Sequence, residues 1–384
     1  MSDSGGFSES QSTLGGRLEI RQQALRDRGL ERTLRARPAT EPLVDLAGND
    51  YLGLARDPRV VQAAVDAAKE WGVGSTGSRL VTGTTTLHIE LEHELAALMG
   101  SQSTLVFSSG YLANLGVLTA LSDPGTLLLV DAHAHASLFD AARLSRGQVV
   151  VMPHNDVEQA RRHLDARSQP RAILVTESVF SVDGDSAPLP QLIELCASTD
   201  AVLLVDEAHA IGALGAGRGL AFELGLAGHP QLVQTATLSK ALGSQGGVVA
   251  GSSAVHDFLI TRARPFVYDT GLALPTAGAA RAAVQIVLTE PNRVDQLRSR
   301  VDQAASALRV STPAGAVISI PVQSAARALH VQAAAQTEGV LVGAFRPPSV
   351  PDDISRIRVT MSSALGEDQL SDACSVLAAA LDAK

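Results

Sequence analysis

Seven short runs of β-branched and leucine residues, each followed by small or polar residues and then by a segment of helical character, punctuate the middle of the chain. They fall near residues 104–107, 127–131, 149–152, 172–176, 202–206, 233–237 and 247–250. Strands separated in this way by crossovers predict an α/β fold: a seven-stranded, mostly parallel, doubly wound sheet sandwiched by helices. In such sheets ligands gather beyond the carboxyl ends of the strands. That rule sorts the polar residues, because Ser108-Ser109-Gly110, His133 and His135, Glu177 and Ser181, Asp206 and His209, and Ser239-Lys240 all follow directly on predicted strands. They are expected to converge on one site.

The flanks have a different character, which divides the chain into residues 1–47 (a tail and a helical segment), a large domain over 48–284 and a smaller α+β domain over 285–384. Residues 17–37 are arginine-rich, and Arg21, Arg28, Arg32 and Arg35 recur near the helical period. That spacing predicts one shared face, solvated or turned toward an anionic ligand. Asp57-Pro58 reads as an N-cap with proline at the first helical position, opening a helix that runs to about Trp71. Leu87, Leu91, Leu95 and Leu98 form the apolar stripe of a second helix closed by Gly100. Past residue 285 the pattern predicts a helix over 294–308, strands over 317–322 and 357–361, and a last helix ending near Leu381. On the final strand Arg356, Arg358 and Thr360 alternate with Ile357, Val359 and Met361. An arginine on an ordered strand makes a good carboxylate clamp.

Several function classes are excluded early. The net charge of −9, without a long block of like charge, argues against nucleic acid. No apolar run is long enough to cross a bilayer. Residues 1–12 are polar and Gly/Ser-rich, and read as a disordered tail rather than a signal peptide. Cys196 and Cys374 stand alone, which fits buried thiols in a reducing cytoplasm. Asp206-Glu207-Ala208-His209 matches an acidic tetrapeptide of some helicases, but that reading requires a phosphate loop, and no glycine-lysine pair exists in the chain. The glycine-rich stretches 72–77 and 243–247 do not sit between the first strand and helix of a dinucleotide unit. His133 and His135, with Asp131 and His209, could in principle ligate zinc; the ligands that usually complete such a set are not arranged around them.

Lysine is scarce. It occurs only as Lys69, Lys240 and Lys384. Lys69 lies on the polar side of an amphipathic stretch and Lys384 is terminal, whereas Lys240 follows a strand and precedes glycines that allow a ligand close to the backbone. Burial there would depress its pKa and leave a nucleophilic amine. Asp206 emerges from the apolar run 202–205, where an unpaired carboxylate is costly, so it needs a cationic partner such as a protonated pyridine nitrogen or a metal.

From about Leu18 to Leu381 the chain resembles the α-oxoamine synthases, fold-type-I transferases dependent on pyridoxal 5′-phosphate (PLP). The resemblance is carried by Asn49-Asp50-Tyr51-Leu52-Gly53-Leu54, residues 74–83, Ser108-Ser109-Gly110-Tyr111, His135-Ala136-Ser137, His154-Asn155-Asp156, residues 177–185, Asp206-Glu207-Ala208-His209 and residues 237–243. It implies that Lys240 binds PLP as a Schiff base and then serves as the base at the substrate Cα. It also implies that Asp206 pairs with the pyridinium nitrogen, that His135 stacks over the ring, and that His209 with Ser181 contacts the phenolic oxygen. Ser109, Gly110 and Tyr111 at a helix N-terminus would bind the phosphate. Thr237 would assist, and Thr270 would do so from a partner subunit, which implies a homodimer with the site at its interface. Arg358 would hold the amino-acid carboxylate, Asn49, Arg346 and Ser349 would line the substrate and acyl side, and Arg35 would meet a distal acyl carboxylate.

Two departures stand out: Ser239 where many relatives have glycine, and Asp269 where a small neutral residue is common. The implied reaction is an acyl transfer, the decarboxylative condensation of an amino acid with an acyl thioester. A narrower match at 185–189 and 346–351 implies L-alanine and a pimeloyl thioester, on CoA or a carrier protein, in biotin biosynthesis. Within the family, glycine C-acetyltransferase, 5-aminolevulinate synthase and serine palmitoyltransferase are the alternatives. A non-catalytic PLP-fold or zinc-binding protein is the alternative outside it.

Overall fold

The computed structural model describes residues 13–347, 349–350 and 352–383; the tail 1–12, Pro348, Pro351 and Lys384 lie outside the described residues. The strands in chain order are β1 (Val44–Asp45), β2 (Ser103–Phe107), β3 (Thr126–Asp131), β4 (Gln148–Met152), β5 (Arg171–Glu177), β6 (Val202–Asp206), β7 (Leu232–Thr237), β8 (Gly247–Gly251), β9 (Val317–Pro321), β10 (Val340–Leu341), β11 (Gly343–Phe345) and β12 (Arg356–Thr360). Strands β2 to β8 form one seven-stranded sheet in the order β2-β8-β7-β6-β5-β3-β4. All seven runs expected from the sequence are strands of this sheet.

The parallel pairs are β3–β4, β3–β5, β5–β6 and β6–β7, each joined through helices. Strand β8 is antiparallel to both β7 and β2. The reason is the link over residues 238–246, which is shorter than the dozen or so residues a parallel crossover needs. The seventh run is therefore a turn-back rather than a crossover, and the lysine sits inside that turn.

Period-two alternation assigns the faces. Leu127, Leu129, Leu174, Leu203 and Val205 pack into one core with the helices Val157–Ala166 and Leu189–Ser198. Leu128, Val130, Ile173, Val175 and Leu204 pack into another with Gly110–Leu121, Ala136–Leu144 and Ser253–Arg262. A sheet covered on both faces exposes only its ends, and a cleft can open at the carboxyl end.

Strands β9, β11 and β12 make a separate antiparallel sheet, order β11-β12-β9, covered by the helices Ala325–Thr337 and Glu367–Asp382. On β12 both faces are buried, so the arginine side is not solvated: Arg356 is 5% and Arg358 7% exposed. Short β1 pairs in parallel with β10, which draws the segment before the large sheet toward this half of the chain.

The arginine-rich segment departs from expectation. Its helix is Leu14–Asp27, capped by Arg28, and Gly29 at φ +64° turns the chain out of the helix. Arg32 and Arg35 therefore lie in irregular structure and do not share a helical face with Arg21.

Candidate active site

Two cavities meet at the carboxyl end of the large sheet. The first, of about 280 Å3, is lined by Ser109, Gly110, Tyr111, Asn114, His135, Ser137, Glu177, Asp206, Thr237, Ser239 and Lys240, among others. The second, of about 550 Å3, holds Arg32, Asn49, His133, Ser181, His209, Phe345, Ser349 and Arg358. His135 and Lys240 line both, so the amine stands at the junction.

Lys240 is placed by a tight turn after β7. The Gly243 amide donates to the Lys240 carbonyl at 2.9 Å, and Gly243 sits at φ +61° with the Ala55 amide 2.3 Å from where a Cβ would stand. Only glycine fits that position. Lys240 Nζ lies 2.7 Å from His209 Nε2. Burial holds the lysine pKa down, at about 8, although the carboxyls of Asp206 and Glu177 pull it up. His209 is buried, and burial followed by the lysine charge lowers its pKa well below the ordinary imidazole value.

Asp206 and Glu177 are register partners on the adjacent parallel strands β6 and β5. Two carboxyls side by side in a buried site do not both ionise. Burial first, and Asp206 second, raise the Glu177 pKa far above the carboxylate range, even though the Ser181 and His135 amides donate to it. Asp206 has better partners: Asn114 Nδ2 donates to it at 2.8 Å and the Ala208 amide at 2.9 Å. Glu177 is thus the neutral member of the pair, and Asp206, at the sheet end of the first cavity, is the one held by two N–H donors.

Asn114 also donates to Ser137 Oγ at 2.9 Å, and accepts from Thr235 Oγ1 at 2.6 Å. Ser137 Oγ lies 2.8 Å from His135 Nδ1, and the Ser137 amide donates to the same nitrogen at 3.2 Å. With Nδ1 an acceptor, the His135 proton sits on Nε2. One asparagine on the helix Gly110–Leu121 therefore orients both the carboxylate and the imidazole of the cavity wall.

Ser109 caps that helix, its Oγ accepting from the Leu112 amide at 3.2 Å. The N–H groups of the first turn are free of the helical ladder and carry the positive dipole end. Gly247 passes directly behind, with the Ser109 carbonyl 2.3 Å from where a Cβ would stand. Thr237 Oγ1 lies 2.7 Å from Ser239 Oγ. Ser239, one of the departures from the family pattern, adds a hydroxyl beside Thr237 in the same cavity.

In the second cavity, Arg358 donates to the Ser181 carbonyl at 2.8 Å and to Asn49 Oδ1 at 3.1 Å, with its guanidinium over the Phe345 ring. Arg358 Nε and Glu177 Oε1 are buried polar atoms without a partner among the described residues. Such orphans call for a polar occupant.

Three of the candidate substrate or cofactor residues lie elsewhere. Arg35 pairs with Glu41 at 3.1 Å on the surface and lines neither cavity. Arg346 donates to the Glu31 carbonyl at 2.7 Å and ties down the N-terminal segment. It is Arg32 that reaches the second cavity, donating to Ser349 Oγ at 2.5 Å. Thr270 is exposed, in an isolated bridge with Ser78; its neighbour Asp269 accepts from Ser108.

The zinc alternative finds no set of ligands. His133 stacks on His154 at 3.9 Å and pairs with Asp183 at 2.9 Å. His154 is held between Asp131 and Asp185, each at 2.9 Å. Among the described residues no group of three or more His, Cys, Asp or Glu side chains is placed to hold a metal.

Burial lowers the His154 pKa, but hydrogen bonds to the two aspartates outweigh it and raise the value to about 9. A raised histidine pKa stabilises the fold fully below the unfolded value of ~6.5 and is lost as pH rises through about 9. The wild-type urea midpoint is expected to drop over that interval by the equivalent of ~1–3 kcal/mol. His154→Gln should lack that drop, and parallel curves for the two proteins would contradict the assignment.

Residues 41–377 match the family of class I and II aminotransferases. Two mycobacterial relatives are similar over almost their whole length. An 8-amino-7-oxononanoate synthase of Mycolicibacterium gilvum is 52% identical over 351 residues, 91% of this chain and 92% of that one. Another, of Mycobacterium bovis, is 50% identical over 361 residues, 94% of both. Among solved structures, a serine palmitoyltransferase variant of S. paucimobilis with a bound PLP–myriocin aldimine superposes with a TM-score of 0.87 at 27% identity, over 95% of this chain and 96% of that one. An 8-amino-7-oxononanoate synthase of Francisella tularensis does so at 0.75 and 26%, over 88% and 97%. The chain belongs to the class I and II aminotransferase family, and within it to the α-oxoamine synthases, the group to which these relatives belong. It is a fold-type-I, PLP-dependent enzyme of the acyltransferase type.

The described residues fit that cofactor. A partly buried amine, a buried carboxylate with two donors, an imidazole wall and a helix N-terminus surround one small cavity. Asn114 escaped the sequence reading, Ser137 and Tyr51 were named in the matching stretches without a role, and Glu177 was placed near the site without one. The available signal was Asn114 itself, a lone amide in the otherwise apolar helix GYLANLGVLTAL.

Proposed function

We propose that the enzyme condenses L-alanine with a pimeloyl thioester, on CoA or a carrier protein, releasing carbon dioxide and the thiol to give 8-amino-7-oxononanoate in biotin synthesis. The observation that carries this reading is the junction of the two cavities at Lys240, which puts one amine between a cofactor-sized space and a longer, arginine-ended one. The relatives at 50–52% identity bear the name of that activity.

When bound, PLP supplies an electron sink for the bonds at the substrate Cα. Lys240 would hold the cofactor covalently and move the Cα proton, since a pKa of about 8 leaves a useful fraction of free amine near neutrality. Asp206 would keep the ring nitrogen charged. His135 and His209 would bound the ring, Ser181 would assist His209, and Ser109, Gly110, Tyr111 and Thr237 would hold the phosphate. Arg358, with a free Nε and Asn49 at its side, would orient the substrate carboxylate. The distal carboxylate of the acyl chain would meet Arg32 beside Ser349, rather than Arg35 or Arg346.

The same reading places a second copy of the chain against Thr270. Leu80 (52% exposed), Val81 (79%) and Tyr268 (70%) lie within three residues of the bridged Ser78 and Thr270, and apolar exposure of this kind is what a homodimer would cover. No described helix is long and apolar enough to cross a membrane, and we place the reaction in the cytoplasm.

The test is an amino-acid screen with pimeloyl-CoA, following thiol release. Turnover with alanine at least ~10-fold above glycine or serine is expected, as one methyl or hydroxyl of misfit is worth about that much. Preference for glycine or serine would move the protein to another member of the family.

A further inference from the structure

Tyr51 is fully buried, 158 residues from His209 in sequence, yet its hydroxyl lies 2.6 Å from the Nδ1 of that histidine. The same hydroxyl is 3.3 Å from Asn49 Oδ1, an oxygen that already accepts from Arg358 at 3.1 Å. A phenol has one proton to give. The shorter contact, to an acceptor without another donor, is the better use of it.

We propose that Tyr51 is a positioning residue that fixes the tautomer of His209: its hydroxyl donates to Nδ1, and the single ring proton is held on Nε2, pointing at Lys240. The neutral ring this requires follows from the surroundings. Burial is the largest cause, and with the Arg358 charge nearby it disfavours a protonated ring whether or not Lys240 is charged. A neutral imidazole has one donor and one acceptor, so an accepting Nδ1 leaves Nε2–H as the donor.

Two consequences reach the chemistry. At 2.7 Å from Nε2–H, Lys240 Nζ must present its lone pair, which selects the uncharged amine that can attack an aldehyde carbon. The opposite tautomer would make Nε2 an acceptor and favour the ammonium form. Once the amine is engaged, the same N–H is a donor for the cofactor's ionised phenolic oxygen. That second consequence rests on the function proposed above, while the tautomer does not, so the two can fail separately.

The test is nitrogen NMR of the full-length protein labelled with 15N-histidine, before and after loading with PLP, with His209→Gln to assign the signals. The expected wild-type spectrum shows the His209 Nδ1 unprotonated and Nε2 protonated. The reverse assignment overturns the proposal, whatever the substrate proves to be. Tyr51→Phe keeps the ring and deletes only the proton donor. It should mix or reverse the tautomers and lower kcat about 10-fold, with KM for the amino acid changed less than ~2-fold, as for the loss of one neutral hydrogen bond. An unchanged His209 signal in that variant also overturns the proposal. If Tyr51→Phe fails to fold, the wild-type spectrum still decides.

Discussion

Lys240→Ala is expected to abolish turnover, with a loss of at least ~10^4-fold, because one side chain serves both as covalent anchor and as proton carrier. No other described amine can substitute. Lys69 is on the helix Pro58–Trp71, outside both cavities, and the remaining lysine is the terminal residue. The variant should fold normally, since Lys240 makes one side-chain hydrogen bond, to His209, and lies in a turn fixed by Gly243 and not by its own side chain. Its visible absorbance with PLP should match free cofactor. Steady-state assays and thermal melts of the two proteins check both halves of the expectation.

The second large effect separates two neighbouring carboxyls. Asp206→Asn is expected to cost ~10^2–10^3-fold in kcat while cofactor still binds, because a neutral amide cannot keep the ring nitrogen charged. Glu177→Gln, one strand away, is expected to stay within ~10-fold of wild type, because burial and Asp206 already hold Glu177 protonated and glutamine mimics that form. Measuring kcat for both variants decides it. Equal losses would mean that the charge is shared by the pair and is not carried by Asp206.

The large sheet was legible because most of its strands are buried runs of β-branched residues and leucine: Thr126–Asp131 exposes none of its residues, and only the edge strand Gln148–Met152 is largely exposed, where Val149, Val150 and Val151 still keep the β-branched signal. The placement of Lys240, Asp206, His135 and Ser109 was legible for a related reason. Residues at the carboxyl ends of such strands converge through sheet geometry alone. What the sequence hid is what depends on contacts between distant segments. Asn114 reaches Asp206 across 92 residues, and Tyr51 reaches His209 across 158, through hydrogen bonds that no local pattern encodes. The arginines failed for a different reason. Their spacing near the helical period suggested one face, but Gly29 ends the helix before Arg32 and Arg35, and the irregular chain beyond it sends Arg32 to the cavity and Arg35 to Glu41.

The most direct measurement is borohydride reduction of the PLP-loaded enzyme, followed by digestion and mass mapping of the fixed cofactor. A single pyridoxyl group on the peptide carrying Ser239-Lys240-Ala241 is the expected result, absent from Lys240→Ala. Cofactor fixed at Lys69, at the terminus, or retained in the alanine variant would contradict the assignment on which the site is built.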